Sequence, residues 1–538
     1  MSEGDAQNLP SESEAQIPSS EGDAQVPPSD SEARSSARAG AAPRLLFVGL
    51  DAASPDLVDA WIEAGDLPTL ARLRGEAIWG RTRNPPAVYT GAVWPSFLTG
   101  NTPGTHGRYY EDQLRLGTYV IERALPEDGG HEPFWNELAR AGRRVCAFDV
   151  PKSHVSPDGA AVQICNWGTH DAETEPRSWP PGLAGEIASR FGSGPFRRCD
   201  WVARGPDPEE HLVEQLLRRI DVKAKIAADL LARERWDLFL VGFGDSHCAG
   251  HQLWHLHDAS HPRHDAALAE RLGRPLRTIY RALDDALGRV LAHAGSETTV
   301  IVLCSHGMDA HYDATFLLED VLRRIEGTSK PPSRVLLDRA RALWRRLPVG
   351  FTERFTGIAR HVHELPDSGD RQGRRCFAVP TNANAAGIRL NLVGREPAGR
   401  VRPGADRERF EGELVAELHA LVNPDTGRPL VREVIRSADV FPGARSELLP
   451  DLFVRWNRES PIRGAASRRI GVLLREDTGR RTGDHRADGL FFAHRPGLAA
   501  RRLEAAVAVE DFAPTIAALL GHTLPDVDGA PVRALLGS

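Results

Sequence analysis

The chain has 538 residues, 41% hydrophobic and 26% charged, with a formal net charge of −7. That length suits one large α/β domain with insertions or a pair of domains, and the composition is that of a globular protein. The absence of a basic block argues against nucleic acid as a partner, and no apolar run of about 18 residues predicts a membrane span.

Residues 1–42 are rich in Ser, Glu, Asp, Gln and Pro, and Ser-Glu-Gly-Asp-Ala-Gln begins at both Ser2 and Ser20. Such a segment buries too little apolar surface to offset its ordering entropy, so a disordered tail is expected. It lacks the basic-then-apolar pattern of a secretory leader. Cys146, Cys165, Cys199, Cys248, Cys304 and Cys376 are scattered, several in apolar runs, which predicts reduced thiols. A cytoplasmic setting is expected.

The first apolar run, Arg44 to Asp51, reads as a buried parallel strand, and similar runs span Arg144–Val150, Leu238–Phe243 and Thr299–Cys304. Helical stripes separate them. One carries Leu212, Leu216, Ile220, Ala224, Ala227 and Leu231; another carries Leu276, Ile279, Tyr280, Leu283, Leu287 and Leu291. Alternating strands and helices predict a mostly parallel sheet covered on both faces, with ligands gathered beyond the carboxyl ends of the strands. Asp51, Asp245 and His306 all fall at such ends. The predicted layout is a core over 43–325, an inserted lid-like segment over 326–376 with a basic helix from Arg334 to Arg346, and a second core part over 377–538. That second part ends in a strand and helix between Val507 and Leu520.

Several residues suit metal-assisted hydrolysis. Asp51 is a hard oxygen ligand at a strand end, although it or Ser54 also suits a helix N-cap. Thr90 opens a predicted helix, whose exposed amides favour an anion; its other reading is an ordinary N-cap. His247 and His251 are four apart, which on a helix puts both imidazoles on one face. His306 follows a strand and His485 follows Gly-Asp. The chain has 20 histidines, so chance pairs are expected; His255, His257, His261 and His264 read as bystanders.

Taken in order, these motifs resemble the alkaline phosphatase superfamily, and within it the type I phosphodiesterase/nucleotide pyrophosphatase branch. Val48-Gly-Leu-Asp51 is similar to the first-strand aspartate motif. Thr90 through Thr99-Gly100, with Pro103 and His106-Gly107, is similar to the nucleophile segment. Ser305-His306-Gly-Met is similar to the branch's Asp-His-Gly-Met loop, and Gly483-Asp-His485-Arg to its last metal histidine. Pro450 to Val454 and the stretch from Phe512 to Gly529 also fit.

The resemblance implies a three-layer α/β/α fold with a mostly parallel sheet, and a threonine-nucleophile phosphate-ester hydrolase working through a phosphothreonine. It implies one or two divalent ions, zinc first and manganese second, and a small anionic phosphate ester as partner. One ion site would draw on Asp51, Thr90 and His306, the other on His247, His251 and His485, with Asp245 as a ligand or a partner to His247. Three positions depart from the branch. Ser305 stands where it has aspartate, His247 where it has another aspartate, and Glu111 where an asparagine holds a substrate oxygen. The alternative expectation is therefore a specialised or non-catalytic relative that binds an anionic ligand at an altered or single-metal site.

Overall fold

The computed structural model describes residues 43–537 apart from 126–131, 157, 169–174, 195–206, 332–367, 383 and 476–478. The expected tail, the basic helix from Arg334 to Arg346 and Cys199 lie outside the described residues. The other five cysteines are buried and none is in a disulfide.

The elements that build the centre are strands β1 (Leu45–Leu50), β2 (Ile78–Arg83), β3 (Val145–Phe148), β4 (Leu238–Phe243), β5 (Thr299–Cys304), β6 (Gly307–Ala310), β7 (Gly483–Arg486) and β8 (Asp488–His494). The helices that matter are α1 (Tyr89–Thr99), α2 (Pro208–Arg233), α3 (Asp245–His257), α4 (Pro275–Leu291) and α5 (Thr315–Glu326). The four strands expected from apolar runs are all present.

Among the described residues the main sheet has ten strands, and its centre runs β2-β8-β5-β1-β4-β3. β1 is parallel to both β4 and β5, β3 is parallel to β4, and β8 enters antiparallel between β5 and β2. The antiparallel β8 was not anticipated.

Strand β1 shows why the runs are continuously apolar. Leu46, Val48 and Leu50 enter one hydrophobic cluster with α2 and α4, while Leu45 and Phe47 enter another with α1 and the helix Phe512–Leu519. Successive side chains point to opposite faces, so a sheet covered on both sides needs apolar residues throughout. Each fully buried side chain such as Phe47 or Leu216 contributes about 1.5–3 kcal/mol by leaving water.

Helix α2 buries the expected stripe and also two charges. Arg219 Nε lies 2.7 Å from Asp245 Oδ1, and Lys223 Nζ lies 2.6 Å from Asp149 Oδ2, all four side chains being fully buried. Lys223 also donates to the Gly242 carbonyl at 2.8 Å, and Asp149 accepts from the amides of Trp167 and Gly168. These pairs fix α2 against the carboxyl ends of β3 and β4.

A second sheet, of four antiparallel strands, is built from Cys376–Val379, Ala385–Leu390, Leu452–Trp456 and Val431–Arg436. It shares a third hydrophobic cluster with α5 and the helix Ala405–His419. Arg374 Nε donates to Glu326 Oε2 at 2.7 Å, tying the residue just before this sheet to the end of α5.

Candidate metal centre

Register assembles the site. Leu50, the last residue of β1, pairs with Phe243 of β4 on one side and Cys304 of β5 on the other. The next residues along each strand, Asp51, Gly244-Asp245 and Ser305-His306, therefore emerge together at one edge. His485 arrives from far along the chain, because β7 pairs antiparallel with β6 and sets His485 opposite Met308. Helix α3 starts at Asp245 and carries His247 and His251 over this edge.

Four imidazoles converge there. The ring centroid of His485 lies 4.6 Å from those of His247 and His251 and 4.5 Å from that of His306. Metal-donor atoms of His247, His251 and His485 all lie within 4.8 Å of one another.

Hydrogen bonds set the tautomers. Asp51 Oδ2 lies 2.7 Å from His247 Nδ1, and the Gly483 carbonyl 2.8 Å from His251 Nδ1. Each Nδ1 must then carry the proton, since its partner only accepts, which leaves Nε2 as the lone-pair atom. The two Nε2 atoms face each other at 3.0 Å. Ser305 Oγ donates to Asp51 Oδ1 at 3.0 Å and accepts from the Ala52 amide at 3.0 Å. Its one proton is thus committed, so His306 Nδ1, 2.8 Å away, donates to it. His306 Nε2 and both ring nitrogens of His485 are buried without a hydrogen-bond partner. Buried polar atoms left this way are costly unless a ligand meets them.

Burial pulls the His306 imidazolium down to about 4, with Asp51 opposing and His247 adding to the shift. Burial also draws His485 well below its ordinary value, helped by His306, His251, His247 and Arg481. Neutral imidazoles are the ligating form. For Asp51, burial alone raises the carboxyl, but His247, His306 and Trp94 outweigh it and hold it well below the usual carboxylate range.

Asp51 is brought into the cluster, with both oxygens engaged: Oδ1 accepts from Trp94 Nε1 at 2.7 Å and from Ser305, Oδ2 from His247. It does not cap the helix that begins at Pro55, and the Ser54 side chain does not either; Ser54 Oγ donates to the Met308 carbonyl. Ala52 holds φ at 54°, a conformation rare for a non-glycine residue and of the kind stored at functional sites. Asp245 gives Oδ1 to Arg219 while its Oδ2 is buried without a hydrogen-bond partner, and Glu111 pairs with Arg123 at 2.7 Å, with Lys152 at 3.8 Å. Thr90 is the second residue of α1. That helix is tied to the centre on both sides of it, through Tyr89 Oη to the His485 carbonyl at 3.3 Å and through Trp94 to Asp51.

Several supporting residues carried no readable signal in the sequence. Asn384 and Arg458 donate to the His485 carbonyl at 3.3 and 2.6 Å, and Asn84 donates to the carbonyls of Ser305 and Ala487. Arg481 Nη1 lies 3.3 Å from His251 Nε2. All of them act on backbone or imidazoles supplied by distant segments, so nothing in their local spacing marks them.

No helix among the described residues is long and apolar enough to cross a membrane. No curated protein matches the chain. Among solved structures it is similar to phosphonoacetate hydrolase from Sinorhizobium meliloti 1021 in complex with phosphonoacetate, at 15% identity and TM-score 0.51, covering 89% of this chain and 95% of that one. The same enzyme with phosphonoformate gives TM-score 0.50 at 15% identity and the same coverage. Murine ectonucleotide pyrophosphatase/phosphodiesterase 5, an inactive form in complex with AMP, gives 13% identity and TM-score 0.43 over 91% of this chain and 97% of that one. The first two likenesses show an alkaline-phosphatase-like fold. The family model for type I phosphodiesterase / nucleotide pyrophosphatase matches residues 45–419, more than half of the chain, and the chain belongs to that family.

Proposed function

We propose that this protein hydrolyses phosphate esters, with Thr90 as nucleophile beside a divalent ion held by His247, His251 and His485, zinc in the first instance. The observation that carries this reading is the convergence of lone-pair nitrogens: two Nε2 atoms at 3.0 Å and a buried His485 with neither ring nitrogen hydrogen-bonded. Three imidazoles form a sound zinc donor set, and a carboxylate behind one of them is the usual supporting partner. Asp51 fills that supporting role for His247. His306 stands beside the three, its ring against that of His485.

When bound, the ion supplies Lewis acidity for a developing oxyanion and lowers the pKa of a coordinated hydroxyl. The chain's own residues do the rest. The first turn of α1 presents backbone amides and the positive end of its dipole to the phosphoryl oxygens. Thr90 Oγ attacks phosphorus in line, the ester oxygen leaves, and water then attacks the phosphothreonine and restores the hydroxyl. Trp94 and Ser305 orient Asp51, and His247, His306 and Trp94 hold it ionised, which keeps His247 in the tautomer described. The buried thiols suit a reducing cytoplasm.

The test pairs elemental analysis of the purified protein with turnover of bis-p-nitrophenyl phosphate. Bound zinc with turnover, lost in Thr90→Ala, is expected. Normal turnover by Thr90→Ala removes the nucleophile assignment. A second reading, a relative that binds an anionic ligand without hydrolysis, draws on Ser305 in place of a carboxylate and on the full engagement of Asp51. Zinc well below one per chain, with no ester hydrolysed, would select it.

A further inference from the structure

One residue before His485 on β7, a second group of donors converges: His311, Asp313 and Asp484, with one donor atom from each within 4.8 Å of the others. We propose that these three residues bind a further divalent cation of the zinc or manganese class, separate from the four-histidine centre and beyond the reaction assigned to it.

The geometry of the carboxylates supports this. Asp313 Oδ1 accepts from the Thr315 amide at 2.7 Å, and its Oδ2 faces His311 Nε2 at 2.7 Å. Asp484 repeats the arrangement: Oδ1 accepts from the His485 amide at 2.8 Å, and Oδ2 faces His311 Nδ1 at 3.7 Å. In each case a main-chain amide fixes one oxygen and leaves the other beside the imidazole, Asp313 at Nε2 and Asp484 at Nδ1; an ion takes one of these nitrogens and draws the farther carboxylate in across the 4.8 Å that the three donors span. Asp484 is 1% exposed, and its Oδ2 has no hydrogen-bond partner. Donors on one ion at about 2.0–2.2 Å are separated by roughly 3–4 Å; His311 Nδ1 and Asp484 Oδ2 stand at such a spacing, 3.7 Å, while Asp313 Oδ2 is at hydrogen-bond distance, 2.7 Å, from Nε2.

Charge leads to the same place. Two buried carboxylates face one imidazole, so these three side chains are net negative. The guanidinium of Arg458 is near, its Nη atoms donating to the carbonyls of His485, Ala310 and Asp484, and its charge offsets one carboxylate, which leaves one negative charge with His311 neutral. A buried negative charge without full compensation is expensive, and a cation removes that cost. One nitrogen with two carboxylate oxygens suits zinc or manganese; calcium and magnesium prefer oxygen throughout. Because Asp484 Oδ1 holds the His485 amide, occupancy here stiffens the strand that delivers His485 to the first centre.

The experiment counts zinc in the full-length protein after equilibration with zinc and desalting, and follows bound manganese by electron paramagnetic resonance. His247→Ala/His251→Ala disables the first centre; Asp313→Asn and His311→Gln disable this one. Circular dichroism selects folded variants, and His251→Gln alone replaces the double variant if that one does not fold. The double variant is expected to keep about one zinc, which adding Asp313→Asn removes. In the parent, Asp313→Asn and His311→Gln each lower the count by about one. A double variant without zinc, or a count unmoved by Asp313→Asn, overturns the site. Failure of the first centre reads differently: His247→Ala/His251→Ala then leaves the parent's zinc count unchanged.

Discussion

His247 and His251 turn their Nε2 atoms towards each other across 3.0 Å on one face of α3. The four-residue spacing puts both rings over the same edge of the sheet. What points their lone pairs inward is not the helix but two acceptors from elsewhere, the Asp51 carboxylate and the Gly483 carbonyl. The centre therefore depends on parts that touch no ion themselves.

Asp51→Asn tests the first of these. Three donors converge on Asp51, from Trp94, Ser305 and His247, and an amide group would oppose at least one of them. His247 then loses its fixed tautomer. Zinc affinity is expected to fall about 10–100-fold, read by competition with a chromophoric chelator. Unchanged affinity would show that Asp51 does not orient His247.

Gly483→Ala tests the second. A Cβ at this position would overlap the carbonyl oxygen of Gly250 and press on Trp254. The Gly250 obstacle is backbone within α3 and cannot rotate aside, so β7 must move and draw His485 and the Gly483 carbonyl with it. The expected cost is about 1–3 kcal/mol in thermal unfolding, with weaker zinc binding. A melting temperature equal to the parent's would refute the close approach.

Asp245 stands at the strand end where a ligand is expected, yet it gives one oxygen to Arg219 and is not among the converging donors His247, His251 and His485. Asp245→Asn is accordingly expected to keep the parent's zinc count. Arg219→Leu leaves a fully buried carboxylate without its partner and should cost about 3–5 kcal/mol by denaturant unfolding. Arg219→Leu/Asp245→Leu should recover much of that loss. Equal losses in the single and double variants would mean the pair is not coupled.

Much of this arrangement was legible in the residues. Buried parallel strands are continuous apolar runs, so β1, β3, β4 and β5 could be read directly, and their ends located Asp51, His247, His251 and His306. Helix spacing identified the His247–His251 pair. The antiparallel β8 was missed because a buried strand of either direction has the same apolar run. Roles were harder to read than positions. Asp51 and Asp245 are alike as carboxylates following strands, and only the packing of Trp94 and Arg219 separates an orienting residue from an ion-paired one. Ser305 could be recognised as a substitution, but its three hydrogen bonds depend on Ala52, Asp51 and His306 meeting across neighbouring strands.

Ser305→Asp returns a carboxylate to the position where it is expected in this family. Its oxygens would fall near Asp51 Oδ1, now 3.0 Å from the serine hydroxyl, and the donation from Ser305 to Asp51 would be lost. Two buried carboxylates this close repel unless a proton or a cation lies between them. The metal-stripped variant is therefore expected to melt below the metal-stripped parent. Zinc should reverse the order of effect, raising the variant's melting temperature by more than the parent's and adding about one equivalent to its count. A new site filled to about 100 times its Kd adds about 2.7 kcal/mol, ample to detect. Equal zinc shifts in the two proteins would mean that Asp51 and His306 cannot complete a second ion site even when the missing carboxylate is supplied.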